Sequence, residues 1–482
     1  MNTPTYIEPV TQHTDYPFVT SGSYPTRAGN NVRLLIDGEP AFRRICEAIE
    51  AAQHSVWATV TFMWPAFVMP DGRGKPLELF AKAAARGVDV RLIFWRPDSQ
   101  TAYYYPNAFW GAPEHLEQLQ ALATPVNVRW DCAHPGYCQH QKSWVIDGGT
   151  PGEVAFVGGI NMNPHSMVAP SHHGESQNHD VYLELSGPAV ADVRHNFVQR
   201  WNEASERNAE VNHWGPDAAY DLPFPEEVMP ERCQAVVQVQ RTIHAGLYQD
   251  GHAPVGGQAF DIAAGERTNL EQYCLAIRSA RRAVYIENQY LDVLEIIQAL
   301  HDALSRGVEV VALVPGVPVL MGEGETTPEG RTFFEARDAL GNYDTFTLSA
   351  LMGVDAEGRR TPTYVHSKLM LVDDAWATVG SANLHHWSLF GNAELNVAVL
   401  SPELVRAFRV ELFREFLGED TSELDDVAAL RRFREVATEN RQKLAQDDHN
   451  WRGLTFALDV ATYGREPQTE ADGGHRSRSH RQ

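Results

Sequence analysis

HQKSWVID at residues 140–147 and HSKLMLVD at residues 366–373 are two versions of one phrase, roughly 220 residues apart in a chain of 482. Each sets His and Lys two positions apart at the head of an apolar run and closes on Asp. Residues i and i+2 of an extended strand project from the same face. His140 with Lys142, and His366 with Lys368, are therefore expected to emerge side by side. Asp147 and Asp373 follow their histidines at an odd spacing that turns them to the opposite face, and they are read as structural acids.

The repetition continues outward from these phrases. Upstream, an apolar-periodic helix leads into SVWATVTF at 55–62, and another leads into AVYIENQY at 283–290. LELFAKAAARGVDVRLIFW at 77–95 is answered by IIQALHDALSRGVEVVALVP at 296–315. Downstream, VGGINMN answers VGSANLH, and each copy closes on a strand and a helix, at 181–204 and 396–417. Strands alternating with helices of this length imply an α/β fold. The expected architecture is two similar α/β sandwich halves, each a β-sheet flanked by helices, packed pseudo-two-fold with one active site between them.

The expected divisions are an N-terminal arm at 1–28, a first half at 29–215, a linker at 216–264 and a second half at 265–420. Pro223, Pro225, Pro230 and Pro254 interrupt the linker. A helical extension follows at 421–464, with an amphipathic helix over 425–446 packed outside the second half. The tail at 465–482 has almost no apolar content and is expected to be disordered.

With 43% hydrophobic residues the chain can bury two cores. Sixty-three acidic residues against 40 Lys and Arg give a formal charge of −23, which opposes binding to a polyanion through a broad basic face. No nucleic acid partner is expected. Five scattered cysteines without a CxxC pair read as free thiols, Cys132 and Cys138 being the one pair placed to bridge a loop near His140. No signal-like or membrane-spanning segment is read, so the expected location is cytoplasmic, with at most peripheral contact at the inner membrane face. A monomer is expected.

A neutral histidine nucleophile needs one ring nitrogen free and the other donating to an acceptor. Asp180, in NHD, and Glu394, in NAELNV, are the candidate acceptors. Asn161 and Asn383, with Ser381, are candidate donors to phosphoryl oxygens at the glycine-led strand ends. His172, His173 and His179 near Asp180 raise a metal site as a rival reading, but no metal-binding spacing accompanies them. No metal and no cofactor is expected.

HQKSWVID with GGIN, and HSKLMLVD with GSAN, resemble the paired signature of the phospholipase D superfamily, and YIENQYL at 285–291 resembles the strand before the second motif in its lipid-acting members. The resemblance covers about 30–205 and 265–418. It implies cleavage of the head-group phosphodiester of a glycerophospholipid through a phosphohistidine, with water or an alcohol as acceptor. By analogy His140 is the nucleophile and His366 the acid; the symmetry of the sequence does not decide between them. Lys142, Lys368, Asn161, Asn383 and Ser381 would hold the phosphoryl oxygens. The resemblance leaves open phospholipase D proper, a cardiolipin synthase-like transferase and a nuclease or DNA-end phosphodiesterase, with a tilt towards the first. Two departures stand out. Gly159 occupies the place of the usual Ser, and four extra residues lie between Asp147 and Gly158 as a lengthened turn.

Aromatic segments at 62–70 (FMWPAFVMP) and 102–111 (AYYYPNAFWG) follow strand ends, where binding groups gather. The loops before the motifs offer a nucleic acid only Arg359 and Arg360.

Overall fold

The computed structural model describes residues 18–206, 220–318 and 327–465. Most of the predicted N-terminal arm and nearly all of the predicted tail lie outside the described residues.

The first half runs β1 (Arg27–Ile36), α1 (Gly38–Ala51), β2 (Ser55–Val60), α2 (Pro76–Ala85), β3 (Asp89–Trp95), α3 (Pro113–Gln120) and β4 (Asn127–Asp131). It continues with β5 (Ser143–Ile146), β6 (Val154–Gly158), β7 (Gln177–His179), β8 (Val181–Ser186) and α4 (Val190–Glu203). The second half runs β9 (Ala235–Ile243), β10 (Glu266–Arg267), α5 (Thr268–Ser279), β11 (Ala283–Asn288), α6 (Leu294–Ser305), β12 (Glu309–Leu313) and α7 (Pro328–Ala339). Then come β13 (Phe346–Val354), β14 (Arg360–Val365), β15 (Lys368–Val372), β16 (Trp376–Gly380), α8 (His386–Phe390), β17 (Glu394–Leu400), α9 (Pro402–Leu417), α10 (Asp426–Leu444) and β18 (Thr455–Ala457).

Each half builds the same mixed sheet. The first has the order β4, β3, β2, β5, β6, β8, β1, with β2, β3 and β4 parallel and the other pairings antiparallel. The second has the order β13, β12, β11, β15, β16, β17, β9, with the same alternation of sense. The fold is the mixed α/β architecture expected from the repeats.

The strand period of two divides the core into layers. Val145 on β5 faces inward to the same apolar cluster as Leu369 and Leu371 on β15. Its neighbours Trp144 and Ile146 join the outer cluster under α1 and α2, while Met370 and Val372 join the outer cluster under α5 and α6. The two sheets therefore share one apolar interior and carry helices outside. Alternation of apolar residues on both faces explains why these runs read as continuous hydrophobic strands.

The span expected as a linker contains β9, which pairs with both β17 and β1. Its pattern is masked by buried polar side chains. Gln238 donates to the carbonyls of Val19 and Tyr24, and Arg241 to Glu266. The described end of the N-terminal arm is thus tied down. Helix α10 buries Leu430, Phe433 and Val436, and the Asp425 side chain caps it by accepting from Ala428 N–H. All five cysteines are free, Cys132 and Cys138 included.

Candidate active site

The two histidines sit on lead-ins to their strands rather than within the antiparallel ladders, since β5 begins at Ser143 and β15 at Lys368. Each lead-in crosses to the other half. Strand β7 of the first half pairs in parallel with β14 of the second, placing Val365 opposite His179. Gln139 of the first half bridges Ala393 of the second in the same sense. His140 N–H donates to Ala393 O at 2.9 Å, and His366 N–H donates to His179 O at 2.8 Å. The residue after each acceptor is the carboxylate, Glu394 or Asp180.

The acids are thereby exchanged between halves. His140 Nδ1 lies 3.0 Å from both Glu394 oxygens, and His366 Nδ1 lies 2.6 Å from Asp180 Oδ2. A carboxylate only accepts, so each Nδ1 carries the hydrogen and each Nε2 is left with a lone pair. Among the described residues no hydrogen bond engages either Nε2. Both imidazoles line one cavity of about 150 Å³.

Burial, reinforced by the neighbouring lysine charges, lowers the pKa of both histidines, that of His366 to about 4. Burial likewise lowers Lys142 to about 8 and Lys368 to about 7. Burial opposes ionisation of Glu394, but His140, Lys142 and Ser381 overcome it and leave its pKa lowered. The histidines are thus neutral at pH 7 and the lysines stand near their titration range.

Lys142 Nζ donates to His140 O at 2.7 Å and reaches Thr61 Oγ1 at 3.4 Å. Lys368 Nζ donates to His366 O and reaches Gln289 Oε1 at 3.3 Å. Thr61 and Gln289 occupy the same place at the ends of β2 and β11. Both were passed over in the sequence, although each stands inside a repeated segment already aligned.

Asn383 lines the cavity, whereas Asn161 lines an adjoining hollow with Lys142, Thr61 and Met162. Ser381 is corrected from a phosphate donor to a support. Its buried hydroxyl donates to Glu394 Oε2 at 2.6 Å, and Ser388 donates to Oε1 at 2.6 Å. Across the pseudo-two-fold, Gly159 gives the matching room to Asp180, because a Cβ there would stand 2.4 Å from Asp180 Oδ1. Asp147 accepts from the backbone N–H groups of Gln53, His54 and Ser55, and Asp373 from those of Arg281, Arg282 and Ala283. Both acids tie the start of β2 or β11 to the far end of the motif strand.

Phe62, Tyr103, Tyr104, Tyr137, Tyr290 and Trp387 wall the cavity. Phe62 and Tyr290 follow β2 and β11 at equivalent positions. Tyr103 and Trp387 are also exposed to solvent. No arginine lines the cavity among the described residues. Arg359 pairs with Asp355 and Glu357, and Arg360 stacks on Trp451 and donates to nearby carbonyls. Of the three extra histidines, His173 is exposed, while His172 and His179 converge with Asp37 away from the cavity lining.

Paired histidines, each oriented by an acid and accompanied by a lysine, thus meet across the two halves of a duplicated α/β fold. The family profile described as "Cardiolipin synthase, PLD-like domain" matches residues 45–201 and 273–415, and one described as "Phospholipase D" matches 162–293. The chain belongs to the phospholipase D superfamily, within this PLD-like domain family. It is 28% identical over 415 residues to cardiolipin synthase A of Pseudomonas entomophila, covering 85% of this chain and 72% of that protein. It is 26% identical over 425 residues to cardiolipin synthase A of Pseudomonas aeruginosa (strain LESB58), covering 86% and 72%. The crystal structure of phosphatidylserine synthase from Haemophilus influenzae Rd KW20 superposes with a TM-score of 0.54 at 14% identity, over 89% of this chain and 88% of that one, a likeness of fold.

Proposed function

We propose that this chain is a phosphatidyltransferase that moves the phosphatidyl group of a glycerophospholipid to an alcohol through a phosphohistidine. The observation that carries this reading is the pair of imidazoles in one cavity, each held through Nδ1 by the carboxylate of the opposite half. His140 Nε2 attacks phosphorus while the bond to the head-group oxygen breaks, and His366 Nε2–H protonates that oxygen. Glu394 offsets the positive charge gained by His140. In the second step the acceptor hydroxyl gives its proton to His366 Nε2 and its oxygen displaces His140 from phosphorus.

Lys142, Lys368 and Asn383 supply charge and hydrogen bonds to the phosphoryl oxygens, with Asn161 beside Lys142. In the free protein His366 is neutral at pH 7, with its pKa near 4. An arriving phosphodiester anion offsets the lysine charges and raises that pKa, loading the acid when substrate is present.

Three features favour a lipid alcohol transfer. The cavity is smaller than the roughly 300–1,000 Å³ of drug-sized ligand sites, so it accepts a head group and leaves acyl chains outside. Its aromatic wall limits water, the competing acceptor. The sequence relatives named above are cardiolipin synthases, which moves the balance away from the hydrolysis favoured by the sequence reading. Among the described residues no helix is long and apolar enough to cross a membrane. The exposed rings of Tyr103 and Trp387 at the cavity suit peripheral contact with lipid from the cytoplasmic side by a monomer.

The test supplies vesicles of phosphatidylglycerol or phosphatidylcholine with ethanol and separates the lipid products. Phosphatidylethanol formed by the wild type and absent with His140→Ala is expected. Phosphatidic acid alone would make the protein a hydrolase. Cleavage of single-stranded DNA with no lipid turnover would overturn the substrate class.

A further inference from the structure

The cavity carries a third histidine that the transfer chemistry leaves unused. His385, directly before α8, lines it together with Asn383, Tyr290 and Trp387. Its Nδ1 lies 2.6 Å from Oδ2 of Asp292, a residue that follows β11 and stands outside the lining. A carboxylate only accepts, so Nδ1 carries the hydrogen and, in the neutral ring, Nε2 keeps a lone pair. The residue is 7% exposed, and Nε2 is buried without a hydrogen-bond partner. The imidazole stacks on Tyr290, with centroids 4.6 Å apart and planes at 27°, and Trp387 stands edge-on at 5.5 Å. Asp292, Tyr290 and Trp387 therefore hold the ring, and Nε2 is its one unused polar atom.

A second unused acceptor stands beside it. Asn383, two residues earlier, lines the same cavity, and its Oδ1 is also buried and unpartnered. With Asn383 Nδ2 serving the phosphoryl oxygens, Oδ1 is left to accept. Acceptors call for a donor, and a phosphodiester anion has no hydrogen to give, whereas the hydroxyls of the alcohol do. An ammonium donor is opposed, because no carboxylate lines the cavity among the described residues while the lysine charges already bear on both motif histidines. We propose that His385 Nε2 accepts a hydrogen bond from a second, unreacting hydroxyl of the head-group alcohol, so that the cavity selects polyhydric over monohydric alcohols. A site built around buried acceptors rejects a ligand that leaves them unpaired.

The feature belongs to one half only. The backbone beneath it is duplicated, since Asp292 N–H donates to Leu384 O at 3.1 Å and Trp64 N–H donates to Met162 O at 2.9 Å. The side chains are not. Trp64 stands in the place of Asp292 and Asn163 in the place of His385. Asn163 Oδ1 accepts from His165 N–H at 2.9 Å, and neither Trp64 nor Asn163 lines the cavity. The histidine–carboxylate pair thus breaks the pseudo-two-fold at the end walled by Tyr290 and Trp387, and marks that end as the place of the alcohol. His385 is a specificity-determining residue and takes no part in bond making. The assignment rests on the transfer reading above.

The test gives full-length protein phosphatidylglycerol or phosphatidylcholine vesicles with isotope-labelled glycerol and propan-1-ol supplied together. The partition of label between the two lipid products reads the ratio of kcat/KM for the two alcohols. The wild type is expected to favour glycerol. His385→Phe keeps a ring to stack on Tyr290 but removes both nitrogens, and it should lower the ratio about tenfold, as for one lost hydrogen bond in a buried site. Asp292→Asn keeps the imidazole and releases its tautomer, so the ratio should fall by a smaller factor, and this variant decides where His385→Phe does not fold. A ratio left unmoved, whether or not both rates drop, would reduce His385 to a structural support and overturn the assignment. A selective loss of transfer to ethanolamine instead of glycerol would overturn hydroxyl recognition. Wild-type protein that transfers to neither alcohol would overturn the transfer reading and the assignment together.

Discussion

The two histidines of the cavity are served by unequal acids. Glu394 reaches His140 with both oxygens and is itself held by Ser381 and Ser388, three donors converging on one fully buried carboxylate. Asp180 is one methylene shorter and meets His366 with one oxygen, while its other oxygen accepts from Val181 N–H. Gly159 stands where Ser381 stands opposite. The lesson is that a duplicated motif keeps its pairing geometry while its supports diverge. On the Glu394 side the acid is steadied by side-chain hydroxyls, on the Asp180 side by backbone and close packing.

The largest effects should ignore this asymmetry. His140→Ala and His366→Ala are each expected to lower kcat by at least about 10⁴-fold, since removing a nucleophile or its acid leaves only binding. Single-turnover assays separate them. His366→Ala with an activated leaving group should still release that group, and failure to do so would reverse the two assignments.

Next, Glu394→Gln and Asp180→Asn should each cost about 10²–10⁴-fold in kcat, the amide turning the imidazole to the wrong tautomer. Equal losses would show that the supports are interchangeable, and a smaller loss at Asp180 would show that His366 needs less charge support. Gly159→Ser sharpens the same comparison, because its Cβ would meet Asp180 Oδ1. Although it restores the usual residue, it is expected to lower both activity and melting temperature, and a gain in activity would refute the packing argument.

The pH profile comes third. His140, the nucleophile, has a lowered pKa, and His366, the acid, must carry a proton with a pKa of about 4 in the free protein, so kcat/KM should rise rather than fall as pH drops from 7 towards 5. Lys142 near 8 and Lys368 near 7 lose charge as pH rises, so a steeper alkaline limb should set in between pH 7 and 8. Replacing Lys368 with Arg, which stays charged, should move that limb upward. An unmoved limb would assign it to another group.

The smallest effect on chemistry is expected from Asp147→Asn. It should weaken the contacts to Gln53, His54 and Ser55 and lower stability by about 1–3 kcal/mol in denaturant unfolding, with kcat within about twofold. Lost turnover at unchanged stability would make Asp147 more than a structural tie.

The repeated phrases disclosed the duplicated α/β fold, because strand and helix periods are local and every element occurs twice in order. They also singled out the His and Lys pairs. The exchange of acids was not legible, since His140 and Glu394 are brought together only by docking of the halves. Strand β9 was hidden because Gln238, Gln240 and Arg241 are buried through hydrogen bonds rather than by apolar character. Ser381 was misassigned for a related reason. A hydroxyl at a strand end can face substrate or the acid behind it, and only the position of Glu394 decides.

The exchange of acids also bears on how the protein is made. Ribosomes finish the first half, with His140 in place, long before residue 394 leaves the exit tunnel. Until then His140 has no carboxylate to fix its tautomer, and Asp180 has no imidazole to orient. Under the proposed mechanism a nascent or truncated chain would therefore lack a complete site however well its first half folds. On that mechanism, the crossed pairing leaves the His140 nucleophile without its acid until the second half has docked around it.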